Sequence, residues 1–325
     1  MMALRVAAGA RRAAAFTAAG AHGATAFAAA LAAALLLASC ATVPTRSASQ
    51  WLGVLPPDAT MYASLSVKGS ADLIKRMVKE AGPAAKDIGT LIDRTNRLVT
   101  SITLAPGAPA QFAVVALGSY PSGIVGMRLA GNKDWTKKTT ASGTWWEWTR
   151  AGLQLSIPNN GILLAANGGV ETLLERWADP VSLRLPPDVS VDMEHSDLVI
   201  YMPELPGGLT QKAAENDVHI PLQEVWITAV RTKGGYVLGG TANTSSEKEA
   251  KLLTLVLRLG IVAWMRTDNI PNAAERLRSI TVSPSGSQVK FGGMAITEDE
   301  VVPLFLSVLK GITPPDDTTS AEAVP

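Results

Sequence analysis

The sequence predicts an α+β fold built from duplicated ββα units, with antiparallel sheet covered by amphipathic helices. Three observations carry this expectation. Short alternating apolar runs come in pairs joined by tight connections, and each pair leads into a helical pattern. Such hairpins build antiparallel sheet and leave a face for helices. One unit recurs at an offset of 53 residues, where Ile227/Ile280, Thr228/Thr281, Gly239/Gly292, Gly240/Gly293, Ala242/Ala295 and Thr244/Thr297 coincide. The 325 residues are 47% hydrophobic and only 18% charged, ample material for a core and too apolar for long disorder.

Residues 1–23 hold Arg5, Arg11 and Arg12 and no acid, and 24–38 (ATAFAAALAAALLLA) are apolar over the length of a signal-peptide core, short of a membrane span. The run ends in Leu37-Ala38-Ser39-Cys40, a small-residue tripeptide before the sole cysteine. This spacing predicts a lipoprotein signal over 1–39 and a diacylglyceryl group on Cys40, the only covalent addition or cofactor expected. Ala41 is not the aspartate that holds many lipoproteins at the inner membrane, which favours the outer membrane. Residues 40–50 then form the lipidated cysteine and a small, polar tether.

The folded body is expected over 51–312, as a first half at 51–185 and a second at 186–312, with a disordered acidic, Pro-rich tail at 313–325. TMYASLSV (60–67) predicts a strand, and 70–81 and 84–97 predict helices. QFAVVALG and GIVGMRLA read as a strand pair with a short helix near 132–139. LQLSIP and GILLAA read as another pair, with a helix at 168–178. PPDVSVDMEHSD (186–197) has few apolar anchors and reads as the boundary between halves. The clearest units are EVWITAVRTKGGYVLGGTAN with helix 246–266 and SITVSPSGSQVKFGGMA with helix 297–311, in which Pro303 would introduce a kink. Ser246-x-x-Glu249 and Thr297-x-x-Glu300 have capping-box spacing. The glycine pairs mark a bulge or close packing, since neither is followed by the residues of a phosphate loop.

Catalytic patterns are weak. The 29 basic and 28 acidic side chains leave no field to attract nucleic acid, and one cysteine with three histidines excludes a cysteine-built zinc site. Glu194-His195-Ser196-Asp197 holds triad residue types, but neighbours in sequence do not converge on one substrate, so a solvated loop is expected. His219, in DVHIP, reads as packed. Glu298-Asp299-Glu300 suits the positive end of a helix. Trp145, Trp146 and Trp148 alternate across a strand, either as core and rim packing or as an aromatic belt or stacking wall.

Helix 246–266 is apolar nearly all round, with Lys251, Thr254 and Arg258 as a narrow polar stripe. A surface helix needs an apolar arc of only about 100°. The excess is either buried or meets lipid, and Leu253, Val256, Leu257 and Trp264 are the expected contacts, with Lys251 and Arg258 reaching headgroups.

The lipobox at Cys40, the duplicated body and these helices together resemble the lipid-anchored outer-membrane proteins of spirochaetes, in particular the treponemal lipoproteins with amphipathic helices. That resemblance implies an α/β/α fold, an apolar cavity and helices that enter the inner leaflet of the outer membrane. PPDATMYASLSV also resembles the opening of envelope proteins with a Pro-Asp-x-x-Tyr strand. The expected function is a non-catalytic envelope lipoprotein that associates with membrane or binds lipid. Its partners are the membrane and either free lipid or an envelope protein, with no nucleic acid and no metal. An interaction scaffold facing the periplasm and an enzyme with a dispersed site are the alternatives.

Overall fold

The computed structural model describes residues 48–81, 91–105, 108–149, 152–181, 183, 185–204, 222–267 and 272–301. The leader, Cys40, His219, Pro303 and the acidic tail lie outside them. In chain order the elements are α1 (Ala48–Leu52), β1 (Met61–Ser66), α2 (Val67–Ala81), β2 (Thr95–Thr103), β3 (Gln111–Gly118), α3 (Ser122–Ala130), β4 (Trp135–Thr140), β5 (Gly143–Trp148), β6 (Leu153–Ser156), β7 (Ile162–Ala166) and α4 (Val170–Ala178). There follow α5 (Pro187–His195), β8 (Leu198–Met202), β9 (Glu224–Thr232), β10 (Gly235–Asn243), α6 (Glu247–Thr267), α7 (Ala273–Ser279), β11 (Thr281–Ser285) and β12 (Gln288–Ile296). A further helical turn runs through 298–301.

The strands form one sheet of twelve, in the order β11-β12-β10-β9-β8-β1-β2-β3-β7-β6-β5-β4, and every pairing is antiparallel. This is the α+β architecture the sequence predicts, with the expected ββα units at β9-β10-α6 and at β11-β12 with the turn 298–301. The order also shows a symmetry. β1-β2-β3, a helix and then β6-β7 mirror β8-β9-β10, a helix and then β11-β12, with the β4–β5 hairpin extra in the first set. The two sets meet where β1 pairs with β8, and there Tyr62 faces Tyr201 in register, with ring centroids 6.3 Å apart. Leu55-Pro56-Pro57-Asp58 and Leu185-Pro186-Pro187-Asp188 precede the two sets, a repeat that the periodicity of the strands does not reveal.

Alternation along the strands gives the sheet two apolar faces, and helices cover both. On the first face, Tyr62, Val99, Val115, Leu164, Val199 and Trp226 pack under α1, α4 and α5, the last through fully buried Val189 and Met193. On the second face, α3 sets Val125 and Leu129 over Ala116, Leu155 and Leu163. There α2 sets Leu73 against Ala229, Tyr236 and Ile296, and α6 sets Ala250 and Leu253 against Val225, Ala242, Val282 and Val289. Edge strand β4 carries Lys137 and Lys138, and edge strand β11 carries Pro284.

Three expectations need correction. Residues 187–195 form a helix, so of the loop expected at 194–197 only Ser196 and Asp197 are non-helical; Pro187 suits a first helical position, and Val189 and Met193 lie four apart on one buried side. GIVGMRLA is the helix α3 and 135–140 is a strand, the reverse of the expected order. A short apolar run bounded by glycine does not distinguish strand from buried helix by periodicity. Of the helix expected over 84–97, residues 84–90 lie outside the described residues and 91–94 are helical, but Thr95, Asn96 and Arg97 belong to β2.

The glycine pairs serve close packing. A Cβ on Gly240 would lie 2.3 Å from the Trp226 carbonyl oxygen, and one on Gly293 would lie 2.1 Å from that of Ser279. Gly293 also has φ +75°, and the register between β10 and β12 shifts between Leu238 and Gly240. The helical turn at 298–301 is held from three sides. Arg76 of α2 pairs with Glu298 and Asp299, Arg231 of β9 with Glu298, and Arg276 of α7 with both oxygens of Glu300. Burial pushes the Glu300 carboxyl up, but the Thr297 N–H and the Arg276 guanidinium outweigh it and hold the group below the usual range.

Two outcomes follow from this packing. Gly293→Val should lower the unfolding free energy by about 2 kcal/mol or more in chemical denaturation, since backbone must move to admit the side chain. Arg276→Ala should cost about 1–3 kcal/mol at pH 7. Because Glu300 is held down in the folded state, that stabilisation is present above the ordinary carboxylate pKa and is lost as pH falls through the depressed value. The gap between wild type and variant should therefore close in denaturation series run down to about pH 3.

Candidate functional site

Helix α6 starts where Ser246 accepts the Glu249 N–H at 3.3 Å, while the Glu249 carboxylate takes the N–H and hydroxyl of Ser245. The capping partner of the carboxylate is thus one residue earlier than the spacing suggests. The buried arc of the helix is Ala250, Leu253, Thr254 and Met265, with Leu257, Ile261 and Trp264 half-buried beside it. Thr254 does not face water: its hydroxyl donates to the Ala250 carbonyl at 2.8 Å within the core side.

The opposite arc is apolar and open. Leu252, Leu255, Val256 and Leu259 are 52%, 58%, 56% and 70% exposed, and Ala263 continues the line. Their spacing of three and four residues aligns them as one row along the helix. They leave on the order of 400 Å² of contiguous apolar surface, the size at which a patch on a monomer is commonly functional. Helix α3 on the same sheet face shows a smaller version, where Met127 is 70% exposed and no residue of the helix is fully buried.

Of the four contacts expected from sequence, Val256 alone lies on the open arc. Leu253 is in the core, and Leu257 and Trp264 are half-buried against it. Leu252, Leu255 and Leu259 take their place. A helix apolar on nearly every side carries no periodic signal to choose between its arcs; only the positions of β11 and β12 decide it. The expected basic reach is redistributed as well. Lys251 pairs with Glu247 at 2.7 Å, and Arg258 donates to the Val282 carbonyl at 2.7 Å.

Elsewhere the polar groups tie the fold together. Tyr201 donates to Glu224 at 2.5 Å, and Asn243 donates to the other oxygen of the same carboxylate. Burial, and then the Glu224 carboxylate, push the Tyr201 phenol far above its ordinary value, so it acts as a donor and not as a base. Trp226 donates to Asp192 at 3.2 Å, and burial raises that carboxyl. The Glu194–Asp197 stretch does not assemble a triad. His195 bonds to the Val191 carbonyl, Ser196 is buried, and Asp197 accepts the Arg231 N–H. Trp145 and Trp146 face opposite sides of β5 with buried indole N–H groups that have no acceptor among the described residues, while Trp148 stacks on Trp135 at 6.1 Å. No group of three or more potential metal ligands occurs among the described residues, and none of their helices is long and apolar enough to cross a membrane.

A sequence profile for the outer membrane-associated lipoprotein TP0453 family matches residues 47–263. The chain belongs to this family. The match spans the first three strands through the greater part of α6, so it includes the open row. Three crystal structures of TP0453 share the fold. Form III has a TM-score of 0.58 at 18% identity over 79% of this chain and 97% of that one. Form IV has 0.58 at 17% over 78% and 95%. Form I has 0.57 at 17% over 83% and 99%. No curated protein matches the sequence. Membership makes this an outer membrane-associated lipoprotein of the cell envelope, the location that the residues around Cys40 favour.

The division of α6 into two arcs has a direct consequence. Leu253→Ala should destabilise the fold by about 2–4 kcal/mol, as a cavity beneath the helix. Leu259→Glu should change stability by no more than about 0.5 kcal/mol. Denaturation midpoints of the two variants should separate accordingly.

Proposed function

We propose that this protein is a non-catalytic lipoprotein, anchored by an acylated Cys40 after removal of residues 1–39, whose body also meets the membrane through α6. The open row of Leu252, Leu255, Val256 and Leu259 is the observation that carries this reading. At ~25 cal/mol per Å², withdrawing half of that surface from water contributes about 5 kcal/mol. A lipid surface suits the row better than a second copy does, because a stable protein interface takes roughly 800 Å² from each partner. The helix is too polar to span and has the composition of one that lies at an interface. Helix α3, with Met127 outward on the same sheet face, is the second amphipathic element of the reading. Free lipid is a further ligand that such a surface accommodates. The charged and Pro-bearing edges of the sheet count against a scaffold that recruits partners by strand addition.

Two measurements test it. Cys40→Ser should leave an uncut precursor with no incorporated acyl label; a mutant cleaved at the unchanged position would refute the anchor. For the helix, a body beginning after Cys40 should float with lipid vesicles. Leu255→Glu with Leu259→Glu should stay at the bottom of the gradient while unfolding at the wild-type midpoint. A wild-type body that stays at the bottom with every vesicle composition rules out contact through α6.

A further inference from the structure

The row on α6 has charged ends. One turn before Leu252 stands Lys248, and one turn after Ala263 stands Arg266, both exposed. Positions 248, 252, 255, 256, 259, 263 and 266 follow one another by three or four residues, apart from the adjacent pair 255–256, so all lie on one stripe. The stripe therefore reads cation, apolar centre, cation. At 1.5 Å per residue the two cations stand about 27 Å apart along the helix axis.

Among the described residues, the neighbouring charges do not neutralise them. Among the described residues neither Lys248 nor Arg266 has an ion-pair or hydrogen-bond partner, whereas Lys251 is held by Glu247 and Arg258 by the Val282 carbonyl. Glu249 turns back to Ser245. Of the elements packed against α6, β11 and β12 carry no acid, and α7 carries Glu275.

We infer that α6 lies flat in an anionic lipid leaflet, with Lys248 and Arg266 taking headgroup phosphates at its two ends while the row between them enters the acyl boundary. Charge complementarity selects this occupant. A neutral apolar groove would gain nothing from cations at both ends, and long basic side chains extend from an apolar stripe to the polar layer. The inference rests on the membrane reading of the row and adds the lipid class and the helix orientation. Each cation near an anionic surface strengthens attachment by about fivefold at moderate ionic strength, less in high salt.

The test uses the full chain, acylated and reconstituted into vesicles, with a polarity-sensitive dye on Leu259→Cys. Vesicles contain either phosphatidylcholine alone or a mixture with one third phosphatidylglycerol. The expected result is a dye buried in the mixed vesicles and largely in water on the neutral ones. Lys248→Gln and Arg266→Gln should each lower the buried-to-exposed ratio about fivefold, and Lys290→Gln, an exposed lysine on the opposite sheet face, should leave it unchanged. A dye in water on both vesicles overturns the membrane reading together with this inference. A dye equally buried on both, insensitive to Lys248→Gln and Arg266→Gln, leaves the membrane reading standing and overturns the headgroup contacts. An equal loss with Lys290→Gln shows net charge at work and overturns them too.

Discussion

The β1–β8 pairing is the seam on which this architecture depends. Among the described strands it is the one ladder that joins the first set to the second. It is short, from Tyr62↔Tyr201 to Leu65↔Leu198, so backbone bonds alone give it little. Side chains reinforce it. Tyr62 stacks on Tyr201, and the Tyr62 hydroxyl donates to the Pro56 carbonyl at 2.6 Å. Arg97 of β2 reaches across β1 to Ser64 and to the Met193 carbonyl of α5, binding the helix of one set to strands of the other. The clasp of Arg76 on Glu298 and Asp299 spans the same divide on the second face.

A sheet apolar on both faces obliges helices to lie on both, and their number sets what remains outside. On the first face, α1, α4 and α5 cover a core that runs from Trp145 to Trp226. On the second face, α6 buries one arc along its length, from Ala250 to Met265, and is apolar beyond that arc. The surplus is therefore a property of the helix sequence and not of a gap in the sheet. Helix α3, in the corresponding position of the other set, repeats the feature with Met127.

The sequence announces the strands and the ββα repeat because period-two alternation and paired glycines are local signals, and the glycines prove to sit where Trp226 and Ser279 approach too closely for a Cβ. Helix α5 was hidden by its polar content, since two buried side chains, Val189 and Met193, suffice to dock nine residues. Helix α3 was hidden by the opposite fault, an apolar run with too few polar residues to set a period. The same ambiguity spreads over α6. Its amphipathic excess is plain from composition, yet whether Leu253 or Leu252 faces outward is a tertiary fact. Lys248 and Arg266 gain meaning only once that choice is made.

The edges of the sheet bear on life in a crowded envelope. Among the described residues, the open sheet of twelve strands ends in two rows of unpaired peptide groups, each a template on which another chain could grow. At β4 successive lysines, Lys137 and Lys138, point to opposite sides, so a stacked copy would meet like charge on either face. At β11 the ring of Pro284 takes away a donor one residue before the end of the strand. Edge-to-edge pairing is thus disfavoured at both ends by different means, a charged strand at one and a missing donor at the other.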